Sequence, residues 1–256
     1  MIEVKDLNLS FKQKTLLQNI SFSLEEKKTL AIVGKSGRGK SLLLKSLIRL
    51  FDKNYTLNAK ILTINNHEIL KLNQANLQKL RAKVSLLFQD VYGSFYPLVD
   101  IGSYFNIVLK THTKLNSKQI KERAFYYFEC LGLKNHDLLW HSFIYQLSGG
   151  MARRVQIALA LSSEAEYLLC DEITSSLDDE NAQKIINILK QLKDKFKNII
   201  YVSHDISLIK HLCDEVLVLE NDGLAYQYKD INFANFLPNG YMQELLKLEN
   251  EDVFRS

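Results

Sequence analysis

The chain has 256 residues, of which 46% are hydrophobic and 24% charged, with 33 basic and 29 acidic side chains and a formal net charge of +4. This apolar content excludes a disordered chain, and the weak, scattered positive charge gives no support to a nucleic-acid partner. The three cysteines, Cys130, Cys170 and Cys213, lack CxxC spacing, so we expect neither a zinc cluster nor a disulfide framework, and we expect a reducing compartment.

Apolar patterns along the chain predict an α/β fold. The alternation in residues 2–11 and 20–24 predicts antiparallel strands with one exposed face. Four later runs are apolar on both faces, which is typical of a parallel sheet covered by helices. These runs are residues 29–33, 167–170, 199–202 and 216–219. The leucine-rich stretch 41–51 and the amphipathic stretch 181–196 predict helices between them.

The middle of the chain, residues 90–161, has helical periodicity and few strand signals. Within it, apolar side chains recur at helical spacing over residues 117–131, and Gly132 can end that helix in the left-handed conformation. We therefore expect a helical subdomain inserted into the sheet domain. Ahead of this region, Asn65 and Asn66 predict a hairpin turn because asparagine tolerates positive φ.

A glycine-rich loop joins the predicted strand 29–33 to the predicted helix 41–51. Residues 34–41 read Gly-Lys-Ser-Gly-Arg-Gly-Lys-Ser, the GxxxxGKS pattern in its strand–loop–helix context. In this pattern, backbone amides and the helix N-terminus surround phosphate oxygens. The nucleotide ligands predicted from the loop are Gly34, Ser36, Gly37 and Gly39. Lys40 would reach the β- and γ-phosphates, and the Ser41 hydroxyl would hold Mg2+.

Two acidic residues follow the apolar run 167–170. Asp171 lies at the carboxyl end of this predicted strand, where α/β sheets bind ligands, and can hold the metal ion as a Walker B aspartate does. Glu172 comes one residue later and could polarise the attacking water as the general base. An acidic strand end that only faces solvent is the simpler alternative.

Residues 147–151 read Leu-Ser-Gly-Gly-Met and lie between the phosphate loop and Asp171. With these motifs the sequence resembles the ATP-binding subunits of ABC transporters, whose signature is LSGGQ or LSGGM. The resemblance covers nearly the whole chain and implies a single ABC ATPase domain over residues 1–256. Its expected parts are a P-loop NTPase sheet core with a small antiparallel β subdomain (1–89 and 162–230), the helical signature subdomain (90–161) and a short C-terminal tail (231–256).

The resemblance also implies roles for further residues. Phe11 matches the aromatic residue that stacks on adenine, for which a core phenylalanine is the alternative. Gln89 matches the Q-loop glutamine, which contacts the metal ion and water, and His204 matches the switch histidine, which contacts the γ-phosphate. Together with Glu172 these two residues form the expected catalytic set, and Gln89 joins Ser41 and Asp171 as an expected metal ligand.

In the family, one nucleotide lies between the phosphate loop of one subunit and the signature of a second. By resemblance, Ser148, Gly149 and Gly150 would therefore bind the ATP of a partner subunit. Residues 175–178 match the family's D-loop, which adds Asp178 to the expected nucleotide site. ATP would close such a dimer, and hydrolysis would open it.

Three features resemble the peptide and nickel importer branch. Residues 88–97 are similar to the branch pattern FQDPxxSLNP, Met151 is typical of one of two unlike ATPases in these systems, and residues 238–246 are similar to PxHPYTxxLL. The short stretch after Leu246 is similar to that of nickel-type subunits. The implied function is to power the import of nickel or small peptides. The implied partners are a second ABC ATPase, two transmembrane permease subunits and an extracytoplasmic substrate-binding protein.

Other classes remain as alternatives. An exporter ATPase fits the branch features less well. A translation-type ABC protein has two cassettes, whereas one phosphate loop occurs here, and a repair-type protein has long coiled coils, whereas no sustained heptads occur. A nucleotide kinase would lack the signature and the His204 element.

The expected location is the cytoplasmic face of the cell (inner) membrane, where the chain would act as a peripheral subunit. No apolar run reaches the roughly 18 residues that cross a bilayer, and the first residues lack the apolar block of a signal peptide. On its own, the chain is therefore expected to be soluble and cytoplasmic.

Overall fold

A computed structural model describes residues 1–175, 177–220, 224–231, 236 and 240–253. The strands are β1 (Ile2–Phe11), β2 (Lys14–Leu24), β3 (Thr29–Gly34), β4 (Tyr55–Asn58), β5 (Ile61–Ile64), β6 (His67–Glu68), β7 (Val84–Leu87), β8 (Tyr167–Asp171), β9 (Asn198–Val202), β10 (Glu215–Leu219) and β11 (Ala225–Tyr228). The α-helices are α1 (Lys40–Leu47), α2 (Gln74–Arg81), α3 (Ile101–His112), α4 (Ser117–Cys130), α5 (His136–His141), α6 (Gly149–Ser162), α7 (Asp179–Leu192), α8 (Ile206–Leu212) and α9 (Tyr241–Val253).

The first sheet is antiparallel and is formed by β1, β2, β4, β5 and β6. Side chains on β1 and β2 alternate between buried and exposed positions over much of their length, so one face of this sheet lies on the core. The predicted half-exposed antiparallel strands are confirmed. Asn65 and Asn66 join β5 to β6 with φ of 50° and 63°, which confirms the predicted hairpin turn.

The second sheet has the strand order β11-β10-β3-β9-β8-β7, in which all neighbours are parallel except β10 and β11. Every residue of β3, β8, β9 and β10 is buried. On β3, Leu30 and Ile32 face the core that includes α1 and the first sheet, whereas Ala31 and Val33 face α8 and α9. Cover on both faces explains why these runs are apolar throughout. The predicted α/β class is confirmed.

Helices α3 to α6 lie between β7 and β8 in the chain and share one core. Phe105 of α3, Ile120 and Phe128 of α4 and Val155 of α6 are fully buried together. The helix predicted over residues 117–131 is α4, and Gly132 follows it with φ of 64°. The subdomain boundaries assigned from the sequence stay predictions.

Helix α1 is shorter than the sequence pattern predicted, since it ends at Leu47 rather than at residue 51. Arg49 takes a left-handed backbone conformation with φ of 49°, which a continuing helix does not allow. Its guanidinium donates hydrogen bonds to the carbonyls of Ile69 and Leu72, at 3.0 and 2.9 Å. These tertiary contacts hold the chain in a turn where leucine periodicity alone indicated more helix. In the part of the chain that the structure describes, no helix combines the length and the apolar character needed to cross a membrane.

Candidate functional site

The candidate site lies at one edge of the second sheet. Strands β3, β9, β8 and β7 are neighbours in that order and run parallel, so their carboxyl ends form a row. The phosphate loop follows β3, His204 follows β9, Glu172 follows β8 and Gln89 follows β7. Four segments far apart in the chain are thereby placed at the sheet edge where α/β proteins bind ligands.

The phosphate loop, residues 34–41, turns through backbone conformations that favour glycine. Gly37 and Gly39 have φ of 79° and 83°. Gly39 also packs closely against β2, because a Cβ there would lie 2.6 Å from Leu17 Cδ2. At the start of the loop, a Cβ on Gly34 would lie 2.8 Å from the carbonyl oxygen of Leu219. Ser36 is exposed at the outer part of the turn.

Lys40 is the first residue of α1 and is 95% buried. Its Nζ donates to the carbonyl oxygens of Gly34 and Lys35 at 2.8 and 3.2 Å and lies 3.8 Å from Glu172 Oε1. Burial lowers the pKa of Lys40, while the nearby carboxylates of Glu172 and Asp171 oppose this effect. A cation is thus held inside the loop, shielded from solvent and bound by backbone carbonyls.

Ser41 and Asp171 lie side by side. The Ser41 hydroxyl donates to Asp171 Oδ1 at 2.8 Å, and Asp171 is buried at the end of β8. Burial raises the pKa of Asp171, and the hydrogen bond from Ser41 only partly offsets this. Adjacent hydroxyl and carboxylate oxygens are ligands that Mg2+ prefers, and a cation would compensate the poorly solvated carboxylate. The residues present therefore fit this ion.

Glu172 is the residue on which the site converges. Its Oε2 accepts a hydrogen bond from Gln89 Nε2 at 2.8 Å, and its Oε1 lies 3.1 Å from His204 Nε2 as well as 3.8 Å from Lys40. The backbone of Glu172 is left-handed, with φ of 46°, and its N–H bonds to the Val202 carbonyl. A strained backbone at this point directs the carboxylate to three side chains from three other segments. Because Gln89 is bonded to Glu172 here, its contact with a metal ion stays a prediction.

The signature residues form the N-terminus of α6. Ser148 caps this helix, with its Oγ accepting from the Met151 N–H at 3.3 Å. Ser148 and Gly149 are exposed, and a Cβ on Gly149 would meet no atom within 4 Å. Among the described residues, no hydrogen bond or ion pair joins Ser148, Gly149 or Gly150 to the cluster around Glu172. The signature is therefore separate from that cluster and open to solvent.

Asp178 caps α7 and accepts hydrogen bonds from the backbone and side-chain nitrogens of Asn181, both at 2.8 Å. The backbone hydrogen bond from Asn181, followed by the side-chain one, lowers the pKa of Asp178. A Cβ on Gly150 would lie 3.6 Å from this Asn181 side chain, so the first turn of α7, which Asp178 caps, is next to the signature within the subunit. Ser176, in the same predicted D-loop, lies outside the described residues.

Phe11 ends β1 in a group of aromatic rings. Its ring centroid is 4.9 Å from that of Tyr55, which stacks in turn on Phe51 at 4.8 Å. Phe11 is half-buried, and Lys12 Nζ lies 5.5 Å from its ring centroid. A half-buried ring is compatible both with a phenylalanine that only packs in the core and with one that stacks on adenine. Stacking on adenine therefore stays a prediction.

Sequence reasoning missed Arg153, whose side chain is 99% buried. Its guanidinium donates to the carbonyl oxygens of Phe88 and Gln89, both at 2.6 Å, and to Gln156 Oε1 at 2.7 Å. It thereby ties the signature helix α6 to the Q-loop. An arginine on the buried face of a predicted helix was the one available signal, because a charge there requires a partner.

Sequence reasoning also missed Tyr241, the first residue of α9. Its hydroxyl lies 2.8 Å from His204 Nδ1. The tail resembles that of an importer branch, and nothing in the sequence connects it with His204. Pro238 and Asn239, which belong to that resemblance, lie outside the described residues.

Comparison with known proteins gives consistent matches. The sequence profile of a family described as ABC transporter matches residues 17–175. The oligopeptide transport ATP-binding protein OppD of Bacillus subtilis is 32% identical over 227 residues, which are 86% of this chain and 63% of that protein. The chain thus spans less than two thirds of this relative. The metal-staphylopine import system ATP-binding protein CntD of Staphylococcus aureus is 29% identical over 231 residues, 89% of this chain and 85% of that protein.

Two further matches extend the comparison. The methionine import ATP-binding protein MetN of Clostridium tetani is 31% identical over 251 residues, 97% of this chain and 75% of that protein. Among solved structures, a dimeric ATP-binding cassette in a post-hydrolysis state bound to ADP and Pi has a TM-score of 0.77 and 25% identity. That match covers 90% of this chain and 98% of the cassette.

Proposed function

The chain belongs to the ABC transporter family, and on this basis we propose that it binds and hydrolyses ATP to power the import of nickel or small peptides. The single observation that supports the catalytic part is the convergence of Lys40, Gln89 and His204 on the carboxylate of Glu172. A carboxylate at a strand end beside a phosphate loop is placed to accept a proton from the water that attacks the γ-phosphate.

Each group has a proposed task that its position supports. The loop amides and the Lys40 ammonium would bind the β- and γ-phosphates, and Lys40 would exchange its present carbonyl partners for phosphate oxygens. Glu172 would act as the general base, and Gln89 and His204 would orient it and the water. Mg2+, held by Ser41 and Asp171 with Gln89 as a further ligand, would neutralise charge on the phosphates.

The exposed signature supports a two-subunit site. In the part of the chain that the structure describes, nothing requires glycine at position 149, since a Cβ there would be unobstructed. Glycine at an exposed helix N-terminus allows close approach by the phosphates of a second molecule, which the N–H groups of α6 would stabilise. We therefore assign Ser148, Gly149, Gly150 and Asp178 to the ATP site of a partner ATPase. Met151, in place of glutamine, favours an unlike partner.

The proposed assembly includes two permease subunits and an extracytoplasmic substrate-binding protein. Tyr96 and Leu98 follow the Q-loop and are 68% and 89% exposed, which leaves apolar surface for a permease beside Gln89. Docking there would hold the chain at the cytoplasmic face of the membrane as a peripheral subunit. The names of the relatives, which concern oligopeptide, metal-staphylopine and methionine import, favour import over export.

Glu172→Gln tests the catalytic proposal in the assembled transporter. We expect ATP to bind normally and hydrolysis to fall at least about a hundredfold, because the amide cannot accept the proton. Glu68→Gln is the matched control, since Glu68 pairs with Lys71 at an exposed position. Turnover by Glu172→Gln at the rate of the control would show that another group activates the water.

Uptake of labelled nickel and of labelled peptides, in cells with and without the gene, tests the substrate class. Uptake of one class that depends on the gene and is lost in Lys40→Ala supports the importer and identifies the solute. Equal uptake of both classes in all strains would refute it.

A further inference from the structure

Tyr241 is in direct contact with the histidine of the candidate site. Its hydroxyl lies 2.8 Å from His204 Nδ1, and the two rings meet edge to face with centroids 6.3 Å apart. The opposite ring nitrogen, Nε2, lies 3.1 Å from Glu172 Oε1. His204 is thus held between a tyrosine from α9 and the proposed general base.

The position of Tyr241 is fixed from several sides. Its N–H donates to both carboxylate oxygens of Glu220 at 3.0 and 3.1 Å, just beyond the end of β10. The next residue, Met242, is 99% buried in the core that covers Ala31 and Val33 of β3. One turn along α9, Glu244 forms an ion pair with Lys35 of the phosphate loop at 2.9 Å. The start of α9 therefore has a defined place beside the site.

The partners of His204 determine which ring nitrogen carries the proton. Both oxygens of Glu172 face donor groups, Lys40 and Gln89, and a carboxylate can only accept hydrogen bonds. His204 Nε2 must therefore donate its hydrogen to Glu172. In a neutral imidazole the other nitrogen, Nδ1, is then an acceptor, and the Tyr241 hydroxyl is the donor that satisfies it. Burial raises the pKa of Tyr241, which keeps this donor protonated.

We propose that Tyr241 is a positioning residue that holds His204 in the tautomer with its proton on Nε2. This tautomer presents an N–H donor to Glu172 and, after ATP binds, to the γ-phosphate. Without the tyrosine hydroxyl, the imidazole can place its proton on Nδ1 and turn, which removes the donor from the phosphate. The inference rests on the proposed ATPase function for its kinetic consequence, but the tautomer itself is a property of the chain alone.

The first test is nitrogen-15 NMR of the histidine side chains in the full chain without nucleotide. At mildly alkaline pH, where an ordinary imidazole is neutral, we expect His204 of the wild type to carry its proton on Nε2. In Tyr241→Phe, which keeps the ring, the two ring-nitrogen signals of His204 should move toward each other as tautomers mix. A wild-type proton on Nδ1, a doubly protonated ring, or unchanged signals in Tyr241→Phe would overturn the proposal.

The second test measures ATP hydrolysis in the assembled transporter. Tyr241→Phe should lower kcat by about three- to tenfold with little change in the Kd for ATP, as expected when one hydrogen bond to the orienting histidine is lost. Tyr126→Phe, at a tyrosine that is 60% exposed on α4, is the matched control and should leave kcat unchanged. A kcat of Tyr241→Phe equal to that of the control would refute the positioning role.

The two tests separate this inference from the proposed function. A wild-type transporter without ATPase activity would contradict the proposed function, whereas the NMR result would still decide the tautomer. If the transporter is active but the His204 nitrogen signals are the same in wild type and in Tyr241→Phe, only the inference is contradicted.

Discussion

Arg153→Leu tests the link between the signature helix and the Q-loop. The change removes three hydrogen bonds of 2.6 to 2.7 Å, two of which satisfy the carbonyls of Phe88 and Gln89. Each charged hydrogen bond contributes about 1.5 kcal/mol or more to the free energy of unfolding. Part of this loss is offset, because the variant no longer has to bury a charged guanidinium away from water. We expect a net loss of about 3 kcal/mol in the free energy of unfolding.

The assay is urea unfolding of the full chain, with Arg154→Leu as the matched control. Arg154 is the next residue on α6, but it is only half-buried and its contacts with the carbonyls of Gly150, Leu131 and Gly132 are long, at 3.1 to 3.5 Å. The control should lose less than about 1 kcal/mol. With a slope of about 3 kcal/mol per molar, Arg153→Leu should lower the urea midpoint by about 1 M. Equal midpoints for the two variants would refute the reasoning.

Three further changes have expected outcomes. Lys40→Ala should keep the fold, as judged by circular dichroism, but abolish ATP hydrolysis; normal rates would contradict its role at the phosphates. Ser148→Arg, mixed with a wild-type partner, should stop nucleotide trapping at the partner's phosphate loop; loss at its own Lys40 site instead would contradict the two-subunit arrangement. Hydrogen bonds from Lys197 and then Lys83 hold the pKa of Glu166 below its ordinary value of 4.5. The ionised carboxylate therefore stabilises the fold above pH 4.5, and this stabilisation is lost as the pH falls through the lowered pKa. Urea unfolding over an acidic pH series should therefore show a steeper loss for wild type than for Glu166→Gln, and parallel curves would contradict it.

The features that the sequence predicted well are those set by local pattern. A strand buried on both faces, such as β3, can be predicted without tertiary information, because an apolar run directly before GxxxxGKS has few other interpretations. Parallel order then brings the ends of β8 and β9 together, which is why Glu172 and His204 could be expected to meet. Gln89 was placed by family resemblance alone, because no strand was predicted before it. Their proposed roles still depend on the experiments above.

The features that the sequence could not predict depend on contacts between distant segments. Helix α1 ends at Leu47 because the side chain of Arg49 is bound by carbonyls of the segment around Ile69. Tyr241 meets His204 only because α9 packs back over β3. In both cases the local sequence is compatible with several conformations, and the choice is made by a partner that no periodicity reveals.

The strand order of the second sheet has a consequence for biosynthesis. Strand β3, which leads into the phosphate loop, has β9 and β10 as its two neighbours, and these begin only at Asn198 and Glu215. A ribosome must therefore synthesise all residues up to β9 before β3 has a neighbouring strand on either side, whereas β1, β2, β4 and β5 can pair as soon as they emerge. Until then a strand whose residues are all buried in the folded protein remains unpaired in the nascent chain, where it is a target for chaperones or aggregation. The nucleotide loop is thus translated well before the two strands that flank β3 and fix its position.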